Sequence, residues 1–214
     1  MREETRLRAD ICSWATSIFD RGLTCGASGN ISVRLADGGL LVTPTGASLG
    51  RLDPAALARF DAGGHLLAGR QPTKEMPLHT AFYETRHGTD ALVHLHSTHS
   101  VALSMLPDIA PDNVLPPLTA YSITRVGRVQ LLPYFRPGQQ AIGTAIRGLA
   151  GKHSAVLLAN HGPVVASKDL EAAVFAIEEL EETARLAMLL DGRQPRMLTP
   201  DQSDQLVEAF AVET

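Results

Sequence analysis

A chain of 214 residues with 44% hydrophobic and 20% charged side chains can bury a core as one domain, so folding requires neither disulfide staples nor a partner. A formal net charge of -4 gives no general attraction to nucleic acid or to an anionic membrane, and any anionic ligand must be met by local donors. Cys12 and Cys25 are too few for a disulfide framework and lack metal-ligand spacing; with no signal-peptide pattern in MREETRLRADICSW and no long apolar run, the expected location is the cytoplasm.

Leu7, Ile11, Trp14, Ile18 and Phe19 recur at helical spacing and predict an opening amphipathic helix that stops near Gly22. From Ser28 to Thr43 two short β-rich pieces flank Asp37-Gly38-Gly39, a hairpin signal. Asp53-Pro54 reads as an N-cap followed by proline at the first helical position, and Asp61 to Gly64 as a turn between short strands. Thr73 is the expected N-cap of a helix carrying Lys74, Glu75, Leu78, Phe82 and Tyr83, which places Glu75 in its first turn. ALVHLH from Ala91 and AVLLAN from Ala155 read as buried strands, with a helix at Ile142, Ile146 and Leu149 between them. A long helix is expected from about Asp169 to Leu190, and Thr199-Pro200-Asp201-Gln202 forms a capping box for a last short one. This alternation predicts an α/β domain with a mixed or antiparallel sheet.

His94 and His96 are two apart in a predicted strand, so both imidazoles leave the same face with Cα atoms roughly 6 to 7 Å apart. Zinc in a catalytic site typically takes three protein ligands and keeps one position open. His161 is the best third ligand because Asn160-His161-Gly162-Pro163 is a tight turn after a buried strand, with His99 as its competitor. His65, His79, His87 and His153 read as ordinary hydrogen-bonded histidines. Glu75 is a fourth ligand, a general base, or a first-turn acid stabilised by the helix dipole. Gly26 to Asn30, Thr43 to Gly46 and Pro72 to Lys74 have the small residues, hydroxyls and amide that suit an anion site, although such turns usually do nothing beyond turning.

Together, S-G-N at 28 to 30, T-P-T-G at 43 to 46, K-E at 74 to 75, H-L-H at 94 to 96 and A-N-H-G at 159 to 162 resemble the class II aldolase and adducin family. The match in order and spacing runs from the first helix through Glu178-Glu179-Leu180-Glu181-Glu182-Thr183. Within the family, LLVTPTGASLGRLDP, VHLHSTHSVALSML, PYFRPG and LLANHGPVVAS look most like the 3-oxo-tetronate 4-phosphate decarboxylases of four-carbon acid sugar catabolism.

The resemblance implies a three-layer α/β/α domain over residues 1–214, built around a largely antiparallel central sheet. It implies a homotetramer, one zinc or another divalent ion per subunit on His94, His96 and His161, and Glu75 as acid/base and sometime ligand. Phosphate would be held by Asn30, Thr45, Gly46 and Thr73. The partner implied is a sugar-acid phosphate, with no nucleic acid and no membrane. The reaction implied is decarboxylation to dihydroxyacetone phosphate and CO₂ through a metal-held enediolate, with Glu75 or a water it orients protonating the carbon. Where the phosphate aldolases read Ser-Ser-Glu, this chain reads Thr73-Lys74-Glu75, and the 4-epimerases usually carry aspartate in place of Glu75. Lys74, with Arg125 or Arg136, is therefore the candidate to recognise a substrate carboxylate, while Tyr121 and Tyr134 receive no role. The alternatives are an aldolase cleaving a short ketose phosphate and a non-catalytic adducin-like module.

Overall fold

The computed structural model describes residues 2–210. Its strands are β1 (Asn30–Arg34), β2 (Leu40–Val42), β3 (Ala58–Phe60), β4 (Leu66–Ala68), β5 (Ala91–His94), β6 (Val129–Leu132), β7 (Ala155–Leu158) and β8 (Gly162–Ser167). They form one sheet in the order β4-β3-β2-β1-β5-β8-β7-β6. Every neighbouring pair is antiparallel except β6 and β7. The helices are α1 (Arg2–Asp20), α2 (Met76–Thr85), α3 (Thr98–Leu103), α4 (Gln140–Gly148), α5 (Leu170–Leu189) and α6 (Pro200–Ala209).

Strand alternation sorts the side chains into two cores. Ile31, Val33, Ala91, Val93, Leu95, Ala155, Leu157 and Val165 pack on one face with Ile11, Ala15 and Ile18 of α1 and Ala173, Val174, Ile177 and Leu180 of α5. On the opposite face Leu92, Val156, Leu158, Val164 and Ala166 pack with Leu78 and Phe82 of α2 and Ile142 and Ile146 of α4. The result is the expected three-layer α/β/α arrangement around a mostly antiparallel sheet. A one-residue slip of β5 would take Val93 and Leu95 out of their core, at roughly 1.5–3 kcal/mol for each side chain, and would turn His94 away from α2. Register therefore fixes which way His94 points.

The hairpin at Asp37 to Gly39 forms as expected: Asp37 accepts from the Gly39 N–H, and Gly38 has φ +81. Asp53 caps a short 3-10 turn, Asp169 caps α5, and the Thr199/Gln202 capping box opens α6. The main correction is at α2. It starts at Met76 with Glu75 at the N-cap, so Thr73 is not the cap. Thr73 N–H instead donates to the Thr43 carbonyl, Thr45 N–H donates to the Gln71 carbonyl, and Pro44 bridges Pro72. Pairing with residues 43–45 holds 71–73 extended, and the helix cannot begin until it ends. Leu149 caps α4 and lies just outside it. The strand carrying the histidines ends at His94, so His96 lies beyond it.

Candidate metal centre

One end of the sheet collects most of the site. Asn30 opens β1 opposite His94 at the end of β5, and Val164 near the start of β8 is the other partner of His94. The turn before β8 supplies His161. Asn160 takes φ +57 and Gly162 φ +154, and a Cβ on Gly162 would lie 2.2 Å from the Leu95 carbonyl oxygen. The turn is thus pressed against the backbone between His94 and His96, which only glycine at 162 permits. Glu75 enters from the N-terminus of α2, where the helix dipole favours an anion.

The three imidazole rings stand edge to face, with centroids 4.7 to 5.0 Å apart. His94 Nε2 is 3.3 Å from Glu75 Oε2, His161 Nε2 is 3.4 Å from Glu75 Oε1, and the Nε2 atoms of His94 and His96 are 3.2 Å apart. One ligand atom from each of Glu75, His94, His96 and His161 lies within 4.8 Å of the others, a set able to hold a metal ion. Glu75, His94 and His161 are buried, and His96 is half-buried.

The donor chemistry fits a cation. His94 donates from Nδ1 to the Pro163 carbonyl at 2.8 Å, which leaves the Nε2 lone pair facing the cluster. Glu75 Oε1 and both ring nitrogens of His161 are buried without a hydrogen-bond partner in the protein. Each such atom costs about 1–3 kcal/mol; of the three, Glu75 Oε1 and His161 Nε2 face each other at 3.4 Å and are satisfied together by one shared cation, whereas His161 Nδ1, on the far side of the ring, cannot ligate the same ion. Burial depresses the proton affinity of His94 and His96, and brings His161 down to about 4. The imidazoles are accordingly neutral ligands at neutral pH. For Glu75, burial raises the carboxyl, but His94 and His161 where they carry a proton, together with the Asn30 amide, outweigh it and hold the group below its ordinary value.

The expected phosphate segments converge on the same end: residues 28–30 lead into β1, 43–46 leave β2, and 72–74 lead into α2. The Asn30 amide is already engaged, donating to Glu75 Oε2 at 2.8 Å and paired through Oδ1 with His79 Nε2 at 2.5 Å. Its role in this structure is to hold Glu75. Thr73 Oγ1 accepts from the Glu75 N–H, while Thr45 is half-buried and Gly46 exposed with φ +69.

The chain matches the family model described as Class II Aldolase and Adducin N-terminal domain over residues 9–188. It belongs to this family. It is similar to the 3-oxo-tetronate 4-phosphate decarboxylase of Escherichia coli K12, 45% identical over 203 residues that span 95% of this chain and 96% of that one. The L-fuculose phosphate aldolase of the same strain is 30% identical, over 86% of this chain and 83% of that one. The crystal structure of YgbL from Escherichia coli superposes with a TM-score of 0.92 at 44% identity, covering 95% of this chain and 98% of that one. As a member of this family with a decarboxylase so named among its relatives over nearly its whole length, the chain is a carbon–carbon lyase.

The expected cations divide. Lys74 is exposed beside Glu75, and Gly138 packs on it so closely that a Cβ there would meet the Lys74 carbonyl at 3.0 Å. Arg136 is exposed in the same loop, which leaves β6 at the end where His161 leaves β7. Arg125 lies elsewhere, over the rings of Tyr121 and Phe175 on the α5 layer. Tyr121 and Tyr134 are exposed. His99, the rival third ligand, faces α5 instead: its backbone N–H and Nδ1 both contact Glu181 Oε1. Two residues escaped the sequence reading as parts of the site's surroundings. His79 is fully buried against Asn30, and Glu181 is buried under α3. For His79 a signal existed, since 75, 79 and 83 share one face of α2 while Asn30 and Ser32 share one face of β1.

Proposed function

We propose that this enzyme decarboxylates a 3-oxo-tetronate 4-phosphate to dihydroxyacetone phosphate and CO₂. The observation that carries the reading is the 45% identity to a decarboxylase across 95% of the chain, against 30% to a phosphate aldolase. Glu75, His94, His96 and His161 would hold one zinc or another divalent ion. When bound, such an ion supplies Lewis-acid stabilisation of negative charge on the substrate's keto oxygen.

Everything else falls to side chains and backbone. Loss of CO₂ leaves an electron pair on C2, conjugated with the C3 carbonyl, and C2 must then gain one proton. Glu75 Oε1 is the atom to hand over that proton, because Oε2 is held by the Asn30 amide. The turns at 43–46 and 72–74, with Asn30 beside them, are proposed to seat the phosphate. Lys74, with Arg136 from the loop packed on it, would pair with the carboxylate that leaves as CO₂. A homotetramer and a cytoplasmic location complete the reading; no described helix is long and apolar enough to cross a membrane.

The test is a substrate panel on metal-loaded protein with CO₂ and aldehyde both measured. Decarboxylation releases CO₂ without an aldehyde, and an aldehyde product would replace this reading with the aldolase. Lys74→Ser should impair the acid substrate far more than a neutral sugar phosphate; equal effects would remove Lys74 from carboxylate recognition.

A further inference from the structure

Behind Glu75 and Asn30 lie three polar groups that no step above uses, the buried His79 and Ser32 and the half-buried Tyr83. On β1, Asn30 and Ser32 point toward α2; Glu75 at the N-cap and His79 and Tyr83 within α2 follow at intervals of four. Two strand residues advance about 6.6 Å and four helix residues about 6 Å, so the two rows stay in step. Asn30 contacts Glu75 and His79, and Ser32 contacts His79 Nδ1 at 2.7 Å and the Tyr83 hydroxyl at 2.9 Å.

The direction of every bond follows from the first. An ionised carboxylate only accepts, so the Asn30 atom 2.8 Å from Glu75 Oε2 is the NH₂ group. The other amide atom is then the carbonyl oxygen, which only accepts, so His79 carries its hydrogen on Nε2. His79 Nδ1 is left with a lone pair and accepts from the Ser32 hydroxyl, whose oxygen in turn accepts from Tyr83. All donors run one way, from Tyr83 to Glu75. Ser32 and His79 are fully buried, so water cannot replace a lost link.

We propose that His79, Ser32 and Tyr83 are positioning residues whose one-way chain fixes the Asn30 amide with its NH₂ toward Glu75, so that Glu75 presents Oε1 alone to the substrate. Without the chain the Asn30 carbonyl loses the His79 N–H that fixes it, and only the carboxylate itself still selects the NH₂ orientation. The chain also favours one orientation more strongly than any single link, because donors aligned in series polarise one another. The inference rests on Glu75 being the proton-handling group of the proposed reaction.

The experiment is a set of double-mutant cycles on the metal-loaded enzyme. Ser32→Ala and Tyr83→Phe should each lower kcat by about three- to tenfold, the size expected for one lost buried hydrogen bond, with KM within about twofold. In an Asn30→Ala background, both substitutions should lose their effect on kcat while keeping their effect on melting temperature. A merely structural role would leave the kcat losses intact in that background, and that result overturns the proposal. A second readout needs no substrate: ¹⁵N NMR of His79 should give the neutral tautomer protonated at Nε2. A proton on Nδ1 refutes the chain whatever reaction the enzyme catalyses, whereas the expected tautomer without CO₂ release refutes only the decarboxylase reading.

Discussion

Glu181→Ala tests how the cluster is held from behind. Glu181 lies on the core face of α5, and its carboxylate accepts from the Ser100 N–H at 2.9 Å, the Ser100 hydroxyl at 2.6 Å, the His99 N–H at 2.9 Å and His99 Nδ1 at 2.8 Å. It supplies the cap that Ser97, the N-cap residue of α3, does not provide. After truncation His99, half-buried, recovers part of its solvation, but Ser100 is fully buried and both its donors are stranded. At about 1–3 kcal/mol for each stranded donor, the variant should lose about 3–5 kcal/mol of unfolding free energy. For a chain of this size that is a fall in melting temperature of roughly 10 °C. Ser100→Ala, which removes one donor and leaves Glu181 its other partners, should cost about 1–2 kcal/mol. Urea unfolding of the metal-free protein measures both. Because α3 starts directly after His96 and Ser97, Glu181→Ala should also weaken zinc binding, by about tenfold on the scale of outer-shell substitutions. A loss below about 1 kcal/mol would refute the claim that Ser100 depends on this carboxylate.

His161→Ala should abolish stoichiometric zinc binding, read by metal analysis, while His99→Ala should leave it intact; the reverse pattern would reassign the third ligand. Metal-free protein should lose stability in acid. His79 is pushed down to about 3 and His161 to about 4, each chiefly by burial, so below their ordinary 6.5 the unfolded chain takes up protons that the folded chain does not. Stability is therefore full above about pH 6.5 and falls toward pH 4 by about 1.4 kcal/mol per pH unit for each such histidine, measurable by urea titration. A flat profile would mean that these rings are not buried neutral. Gly162→Ala should cost several kcal/mol and release His161, because its Cβ would overlap the Leu95 carbonyl; near-normal melting and metal content would contradict the close approach.

Much of this was legible in residue spacing because the features concerned are local. Period-3.6 apolar residues gave α1, Asp37-Gly38-Gly39 gave the hairpin, and the H-x-H pair with the Asn160 turn gave three candidate ligands whose rings do converge. Within each motif the side chains need only short-range backbone geometry, whereas the meeting of His161 with His94 and His96 depends on the pairing of β5 with β8. The start of α2 was misread because Thr73 looks like a cap in isolation, and only its pairing with residues 43–45, nearly thirty positions away, keeps it extended. The parallel β6–β7 pair, the capture of His99 by Glu181, and the engagement of Asn30 with Glu75 and His79 likewise depend on which distant elements become neighbours. A sequence states what each side chain can donate, accept or ligate. Which of those capacities is spent on another residue, and which is left for a metal or a substrate, is settled only when the packed sheet and helices remove water and choose the partners.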